Sequence, residues 1–312
     1  MPEPVLVAVL GPTASGKSAL ALAERFDGEI VNCDSTAVYR GFDIGTDKMG
    51  IAERRGIPHH LIDIVDPTDV YTAAHFANDA ARVIREIQAR GRLPLLVGGS
   101  GLYYRALTRG LFPGPGADEA LRGRLESIAE RKGPGLLRRM LTRVDPPSAA
   151  RIMPGDRKRM IRALEVFFLT GKPLTEHFAD TVSPIAGTRV IGIALRLPAA
   201  QTSERVAGRV NQQFARGLLD EMRGLLARGV PEGARPFGGL VYRQALEYLH
   251  GARDEAATRE LITSENRHYA RRQLTWFRKE ADLQWFDGPG ESVATIAAVT
   301  HLLAERLGQP GA

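Results

Sequence analysis

Residues 11–18 read Gly11-Pro12-Thr13-Ala14-Ser15-Gly16-Lys17-Ser18. This stretch fits the pattern G-x-x-x-x-G-K-[ST] and stands between an apolar run at residues 5–10 and helical apolar spacing over residues 17–26. In a strand–loop–helix context, backbone N–H groups and the helix N-terminus attract phosphate oxygens, and the lysine neutralises charge. The stretch therefore predicts a phosphate-binding loop (a P-loop), with Lys17 on the phosphates and Ser18 as a Mg²⁺ ligand.

The chain that follows alternates between strand-like and helical segments. Apolar runs predict strands at residues 29–33, 60–65, 93–97 and 190–195, and helical periodicity predicts a helix at residues 73–90. Strands that alternate with helices usually pair in parallel. We therefore expect an α/β fold with a P-loop NTPase-like parallel sheet and flanking helices.

An inserted lobe interrupts this alternation. The Pro- and Gly-rich residues 112–116 open a charged segment with helical periodicity. We predict an inserted helical domain over residues 113–184, with residues 1–112 and 185–312 forming the P-loop core. The later part of the core has helical patterns at residues 202–228, 239–250 and 255–279, a strand at 283–286 and a terminal helix.

Composition and charge indicate a globular protein with a polyanionic partner. The 312 residues are 44% hydrophobic and 25% charged, and the formal net charge is +6. Cys33 is the only cysteine, which excludes an intrachain disulfide and favours a reducing compartment. Residues 1–10 lack the features of a signal peptide. We expect a cytoplasmic monomer that makes no membrane contact.

Asp34 follows a second apolar strand directly. The carboxyl ends of parallel strands meet at one edge of a sheet, so Asp34 should face the P-loop. A carboxylate there would repel a bound diphosphate unless a metal or Lys17 lay between them, which suggests that it accepts a proton or ligates water on Mg²⁺. An aspartate that caps the following turn with Ser35 is the alternative interpretation.

Eight stretches together resemble the tRNA dimethylallyltransferases. They are GPTASGKS (11–18), DSTAVYRG (34–41), DIGTDK (43–48), PHHLID (58–63), LLVGGSGLY (95–103), RALEV (162–166), YRQ (242–244) and RRQLTWFR (271–278). They occur in order over almost the whole chain. The chain departs from the family pattern at Thr36-Ala37, where most members carry Met-Gln, and at Val241, where most carry glycine.

The resemblance implies a reaction and its participants. A dimethylallyl group would pass from dimethylallyl diphosphate to N6 of the adenosine just 3′ of the anticodon, with Mg²⁺ as cofactor and the tRNA anticodon stem-loop as partner. The P-loop would hold the diphosphate, Asp34 would be the general base, and Ser100 would line the channel where the flipped adenine meets the donor. An exocyclic amine is a poor nucleophile, so alignment and proton removal should help.

An arginine clamp would stabilise the leaving diphosphate. Arg205 and Arg209 are four residues apart on one predicted helix, so both can point at the same ligand. The resemblance favours Arg209 as a catalytic residue beside Lys17, with Arg205 as a diphosphate contact. A solvated basic helix face is the alternative for this pair.

Two basic stretches are candidates for RNA contact. Residues 151–172 hold six Arg or Lys against two acidic residues, and residues 265–279 hold five against one, with three aromatic residues interleaved. A solvated helix face is again the alternative. With the resemblance, the implied tRNA-contacting residues are Asp34, Ser35, Thr36, Ala37, Ser100, Gly101, Lys158, Arg159, Met160, Ile161, Arg162, Tyr242, Arg243, Gln244, Arg271 and Arg272.

Three other functions remain open on the sequence. Prenylation of free adenine nucleotides would use the same P-loop core, although the inserted lobe favours RNA. ATP hydrolysis is less favoured, because the strand at residues 93–97 leads into Gly98-Gly99-Ser100 and not into the acidic residue that usually helps to hold Mg²⁺ in nucleotide hydrolases. A small-molecule kinase that uses ATP would need a dedicated pocket for the nucleotide base, and the sequence indicates none. A non-catalytic RNA-binding module would leave Asp34 unexplained.

Overall fold

The computed structural model describes residues 3–17 and 19–308, and at position 134 only the backbone. Its chain divides into two compact units. The first consists of Met1–Thr108 with Ile185–Ala312, and the second is Arg109–Pro184. The second unit thus begins four residues before the start of the insertion that the sequence predicts.

The first unit is built on a parallel sheet. Its strands are β1 (Val5–Leu10), β2 (Gly28–Cys33), β3 (His59–His60), β4 (Leu93–Gly98), β5 (Arg189–Arg196) and β6 (Leu283–Asp287). They lie in the order β3-β2-β4-β1-β5-β6, and every neighbouring pair is parallel. The predicted α/β fold with a parallel sheet and flanking helices is confirmed.

Helices account for most of the remaining chain. Three follow the first strands: α1 (Leu20–Arg25), α2 (Ala73–Ala89) and α3 (Gly101–Thr108). Five belong to the second unit: α4 (Glu119–Lys132), α5 (Pro134–Val144), α6 (Pro146–Arg151), α7 (Arg157–Thr170) and α8 (Leu174–His177). The last five return to the first unit: α9 (Ala199–Ala215), α10 (Leu218–Ala227), α11 (Leu240–Leu249), α12 (Glu255–Phe277) and α13 (Val293–Leu307).

The alternation of side chains in β1 explains why both faces of the sheet are covered. Leu6, Ala8 and Leu10 belong to one apolar cluster, and Val7 and Val9 belong to another. Successive residues of a strand point to opposite faces, so an uninterrupted apolar run predicts burial on both. Burial of each face under helices leaves the carboxyl edge of the sheet as the place for polar residues.

Three elements differ from the sequence prediction. The strand predicted at residues 60–65 ends after His60, because Leu61 and Asp63 have left-handed φ values of 61° and 56°. The helical segment predicted at residues 202–228 breaks into α9 and α10 at Gly217, whose φ is 92°. The helix expected from residue 17 begins at Leu20.

The second unit is a small helical domain with its own apolar core. Leu125, Leu137, Leu141 and Leu164 are among the side chains buried in it. Aspartate side chains cap α4, α6 and α7 by accepting hydrogen bonds from backbone amides of the first turns. Within the described ranges of both units, no helix is long and apolar enough to cross a membrane.

Candidate active site

The P-loop and Asp34 lie at the same edge of the sheet. Because β4 lies between β1 and β2, the segments that follow these three strands are neighbours. Gly11 donates its amide to the carbonyl of Gly98 at 3.3 Å, and Ser100 donates its amide to the carbonyl of Cys33 at 3.2 Å. A cavity of about 1370 Å³ opens at this edge, within the first unit, and both Lys17 and Asp34 line it.

The P-loop folds tightly around its own carbonyl groups. Ala14 and Gly16 have positive φ values of 62° and 69°, and the amide of Ser15 donates to the carbonyl of Pro12 at 3.3 Å. Alternating backbone conformations of this kind direct amides toward a bound anion. Ser18, the predicted Mg²⁺ ligand, lies outside the described residues.

Lys17 is the partly buried cation of the P-loop and lines the cavity. Its Nζ donates to the carbonyl of Pro12 at 2.8 Å. Burial, together with the positive charge of Arg209, lowers the pKa of Lys17 to about 8, although the nearby Asp34 and Cys33 act in the opposite direction. The charged form of Lys17 is stabilised when a diphosphate binds, because the negative charges of the phosphate oxygens offset the cost of desolvating the ammonium group.

Arg205 and Arg209 both reach the P-loop from α9. The Nε of Arg205 donates to the carbonyl of Ala14 at 2.7 Å, and the Nη1 of Arg209 donates to the hydroxyl of Thr13 at 2.5 Å. Each arginine also has an acidic partner, Glu291 for Arg205 and Asp47 for Arg209. These contacts exclude the alternative of a solvated basic face, and they place two guanidinium groups on the P-loop as the clamp hypothesis requires.

Asp34 caps a turn with one oxygen only. Its Oδ1 accepts hydrogen bonds from the amide of Thr36 at 2.8 Å and from the hydroxyl of Thr36 at 2.7 Å. The turn is further fixed by Asn32, whose Nδ2 donates to the Asp34 carbonyl at 3.3 Å, and by Ser100, whose Oγ accepts from the amide of Ser35 at 3.1 Å. Over the described part of the chain, Oδ2 has no hydrogen-bond or ion-pair partner. Asp34 therefore both caps the turn and lines the cavity, so the two interpretations are compatible.

Two site residues were missed by the sequence reading. Gln273, buried on α12, accepts from the amide of Thr13 at 2.8 Å and donates to the carbonyl of Gly99 at 2.9 Å. Asp47 holds Arg209 and has a left-handed φ of 51°. Gln273 lies inside the stretch RRQLTWFR, but a search for basic patches directs attention to its charged neighbours. Asp47 lies in the stretch DIGTDK, where nothing local indicates an arginine partner.

Comparison with known proteins agrees with this geometry. A protein-family model described as IPP transferase matches residues 37–280. The chain belongs to the IPP transferase family. A tRNA dimethylallyltransferase of Solibacter usitatus is 46% identical over 309 residues, covering 97% of this chain and 99% of that protein. Another from Geobacter metallireducens is 46% identical over 301 residues, covering 94% of this chain and 96% of that protein.

Solved structures show the same relationship. The full-length tRNA isopentenylpyrophosphate transferase of Bacillus halodurans superimposes with a TM-score of 0.71 at 37% identity, and the match covers 97% of each chain. The predicted membership of the tRNA dimethylallyltransferase family is confirmed. Family membership does not by itself assign a role to any individual residue. Those roles rest on the contacts that the residues make in this chain.

In this IPP transferase family member, residues 242–244 hold neighbouring elements together. The hydroxyl of the buried Tyr242 donates to Glu221 at 2.7 Å and accepts from the amide of Gly45 at 3.0 Å, while burial and the Glu221 charge raise the pKa of Tyr242. Arg243 and Gln244 both donate to Glu265 on α12. Of the three, only Tyr242 lines the cavity.

The basic end of α12 forms another part of the cavity wall. Arg272 lies over the ring of Tyr269 at 5.6 Å, and both residues line the cavity. Burial and the charge of Asp34 raise the pKa of Tyr269 to about 12. Arg271 is exposed to solvent. Within the described ranges, Arg271 and Arg272 make no ion pair, so their guanidinium charges are not neutralised by carboxylates.

Several other residues implied in tRNA contact have buried side chains. Ala37 is 6% exposed, Ser100 is 9% exposed, and a Cβ at Gly101 would lie 2.2 Å from the Trp276 ring. In the second unit, Met160 and Ile161 are 0% and 4% exposed. Met160 and Ile161 belong to the apolar core of that unit, whereas Ala37 lines the cavity. At the two core positions, any contact with RNA would come from the backbone or from exposed neighbours.

Arg162 is committed to a buried carboxylate. Its Nη1 lies 2.6 Å from an oxygen of Glu165, a residue that is fully buried, and Arg122 pairs with the same carboxylate at 2.9 Å. Desolvation would raise the pKa of Glu165, but the hydrogen bonds from Arg122 and Arg162 hold it below its usual range. Lys158 and Arg159, by contrast, are exposed. The four cations of α7 thus divide into one structural arginine, Arg162, and three that face solvent, since Arg157 is exposed as well.

Proposed function

We propose that this chain transfers a dimethylallyl group from dimethylallyl diphosphate to N6 of the adenosine 3′-adjacent to the anticodon of tRNAs. The observation that carries the proposal is that Asp34, whose Oδ2 has no partner among the described residues, lines the same cavity as the P-loop. A phosphate site beside an unpartnered carboxylate suits a reaction in which a diphosphate leaves and a proton is taken up. The names of the relatives describe enzymes of this kind.

The chain's own residues account for each change in bonding. As the allylic C–O bond breaks, its electron pair leaves with the diphosphate, whose growing charge meets the P-loop amides, Lys17 and Arg209. The N6 lone pair forms the new C–N bond, and the amine proton passes to Oδ2 of Asp34. Gln273 holds the P-loop against the end of β4, which keeps the donor site and the base in register.

Mg²⁺ fits this arrangement as an ion bound chiefly through the donor. The described residues contain no group of three or more His, Cys, Asp or Glu side chains placed to hold a metal. Mg²⁺ usually keeps several waters and binds substrate phosphates with one or two protein oxygens, so no protein cage is needed. The Ser18 hydroxyl would be the protein ligand. When bound, the ion would neutralise charge on the leaving diphosphate.

The substrate is proposed to be tRNA and not a free adenine nucleotide. Lys158 and Arg159 in the second unit, and Arg271 and Arg272 in the first, offer exposed cations that a nucleotide has no need to contact. The aromatic ring of Tyr269 in the cavity wall suits an unstacked base. We also propose that the protein acts in the cytoplasm as a monomer, because its lone thiol is buried and its net charge suits an RNA partner.

Replacement of the base provides the test. Asp34→Asn keeps the size of the side chain and removes its basicity, so turnover should fall by about 10²-fold or more with tRNA affinity nearly unchanged. Asp220→Asn, at an exposed carboxylate on α10, is the matched control. Each protein would be incubated with dimethylallyl diphosphate, Mg²⁺ and either tRNA or AMP.

The outcomes separate the proposed substrate and base from the alternatives. Prenylated tRNA from the parent protein, with little product from AMP, would support the proposal. Equal efficiency on AMP would favour a nucleotide prenyltransferase. Loss of tRNA binding in Asp34→Asn with single-turnover chemistry intact would make Asp34 a recognition residue.

A further inference from the structure

Thr36 contacts the proposed base through two separate donors. Its amide lies 2.8 Å and its hydroxyl 2.7 Å from the same oxygen, Oδ1 of Asp34. The hydrogen bond from the amide alone is the ordinary cap of a turn, which any residue except proline could supply at position 36. The hydroxyl bond depends on the side chain, and serine and threonine are the small residues that can make it here.

The packing around Thr36 favours this side-chain orientation. Thr36 is half-buried, and a Cβ placed at Gly239 would meet its Cγ2 at 3.9 Å, so the methyl group faces the segment that leads into α11. A threonine side chain is stiff at χ1, because two heavy atoms on Cβ limit its rotamers. With the methyl group on one side, the hydroxyl is directed to Asp34.

Two donors on one oxygen restrict the carboxylate as a whole. Rotation about the Cβ–Cγ bond of Asp34 would exchange the two oxygens and break both bonds. The carbonyl of Asp34 is also held by Asn32, and the next amide is held by Ser100. The result is a carboxylate with Oδ1 occupied and Oδ2 left for the cavity.

We infer that Thr36 is a positioning residue for the base, and that its hydroxyl fixes Asp34 so that Oδ2 receives the amine proton. This inference rests on the proposed role of Asp34 and is an alternative to the sequence prediction that Thr36 contacts tRNA. Thr36 touches neither the donor nor the reacting nitrogen in this account. It acts through Asp34, so its removal should slow the chemical step and leave the binding of both substrates intact.

Two substitutions at position 36 separate the hydroxyl from the rest of the side chain. Thr36→Val keeps the shape and the amide bond but removes the hydroxyl. We expect kcat to fall about tenfold, a part of the 10²–10⁴-fold that a positioned base contributes. The KM values for tRNA and dimethylallyl diphosphate should stay within about twofold, since uniform binding is unchanged. Thr36→Ser restores the hydroxyl and should recover most of the turnover.

A double-mutant cycle with Asp34→Asn distinguishes failure of this inference from failure of the proposed function. In the Asp34→Asn background, Thr36→Val should cause little further loss, because the base on which it acts is gone. If Asp34→Asn had nearly normal activity, Asp34 would not be the general base, and both the proposed function of Asp34 and this inference would be wrong. A slow Asp34→Asn enzyme beside a fully active Thr36→Val enzyme would overturn the inference alone.

A change confined to RNA binding would also overturn it. If Thr36→Val raised the KM for tRNA at constant kcat, Thr36 would be the RNA contact that the sequence predicted. Melting temperatures of both variants complete the measurement. Should Thr36→Val fail to fold, Thr36→Ser and Thr36→Ala carry the same comparison, with serine expected to be fast and alanine slow.

Discussion

The cations of the core cavity and the cations around Glu165 in the helical unit differ in what they bind. Lys17 donates to a backbone carbonyl of the P-loop, and Arg209 donates to the Thr13 hydroxyl while pairing with the partly exposed Asp47. In the helical unit, Arg122 and Arg162 both pair with a carboxylate that is fully buried. The first group can turn its donors to an arriving anion, whereas the second neutralises a charge that the fold has already buried.

The difference shows that local excess of positive charge does not identify a binding surface. If Arg162 were removed, Glu165 would stay buried and its desolvation cost would be less well compensated. Arg162 therefore contributes to the stability of the helical unit. Lys17 has the opposite energetics, because burial disfavours its charge until a phosphate arrives. Substitution in the cavity should therefore impair chemistry, and substitution around Glu165 should impair folding.

The largest effect is expected at Lys17. Lys17→Ala removes a charge-assisted contact to the leaving diphosphate, so turnover should fall by about 10²–10³-fold. The melting temperature should not decrease, because the partly buried ammonium contributes no favourable burial energy. Steady-state prenyl transfer and thermal unfolding would be measured beside Lys132→Ala, which alters an exposed lysine at the end of α4. Nearly normal transfer by Lys17→Ala would exclude the P-loop as the donor site.

The next largest effect is on stability. Arg162→Ala leaves Glu165 buried with Arg122 as its remaining ionic partner, so the free energy of unfolding should fall by about 2 kcal/mol. Arg159→Ala, one turn away and paired with Asp156 near the surface, should change it by less than about 0.5 kcal/mol. Urea denaturation of both variants checks this. Equal stabilities would mean that the buried carboxylate is satisfied without Arg162.

The features of the fold and the site that could be predicted are those encoded in short stretches of neighbouring residues. The strands, the P-loop and the placement of Asp34 follow from apolar runs and from the rule that parallel strands share one carboxyl edge. The bond from Thr13 to Gln273 joins residues 260 positions apart, and no periodicity encodes it. Long-range side-chain contacts of this kind decide how a P-loop is held.

The role of Arg162 could not be read from its own neighbourhood either. Glu165, three residues later, looks like an ordinary helix-surface partner, and only the tertiary fold reveals that it is buried. Leu61 and Asp63 illustrate the same limit for backbone structure, since nothing local predicts their left-handed φ values. Both cases are tertiary constraints that override local propensity.

About a fivefold effect is expected from pH. The pKa of Lys17 is lowered to about 8, so the ammonium form that binds diphosphate is complete well below pH 8, half present at pH 8 and lost above it. At limiting dimethylallyl diphosphate, kcat/KM should therefore decline about fivefold between pH 8 and pH 9. Lys17→Arg keeps its charge throughout this range, so its slower reaction should not show the decline. A parent profile that is flat up to pH 9 would contradict the lowered pKa.

The smallest effects are expected at Arg271 and Arg272. Over the described part of the chain neither has a carboxylate partner, so both are available for phosphates. Each Ala substitution should reduce the slope of log K against log salt by about 0.7–0.9. Because one such contact loses only about threefold in affinity between 50 and 200 mM salt, the slope is a sharper measurement than a single Kd. For Arg271→Ala, which lies outside the cavity lining, stability and the reaction with AMP should not change.

Arg162→Ala should be included in the same measurement of tRNA binding against salt, because it tests whether Arg162 is a structural cation or one that binds phosphate. If Arg162 is consumed by Glu165, its removal should leave the salt slope nearly unaltered while destabilising the unit, and Arg223→Ala, which breaks an exposed pair on α10, should alter neither quantity. If Arg162→Ala lowered the slope as much as Arg271→Ala does, with no loss of stability, the pair with Glu165 would have to open on RNA binding. Arg162 would then leave the buried carboxylate and contact a tRNA phosphate, and the distinction between structural and ligand-binding arginines would disappear.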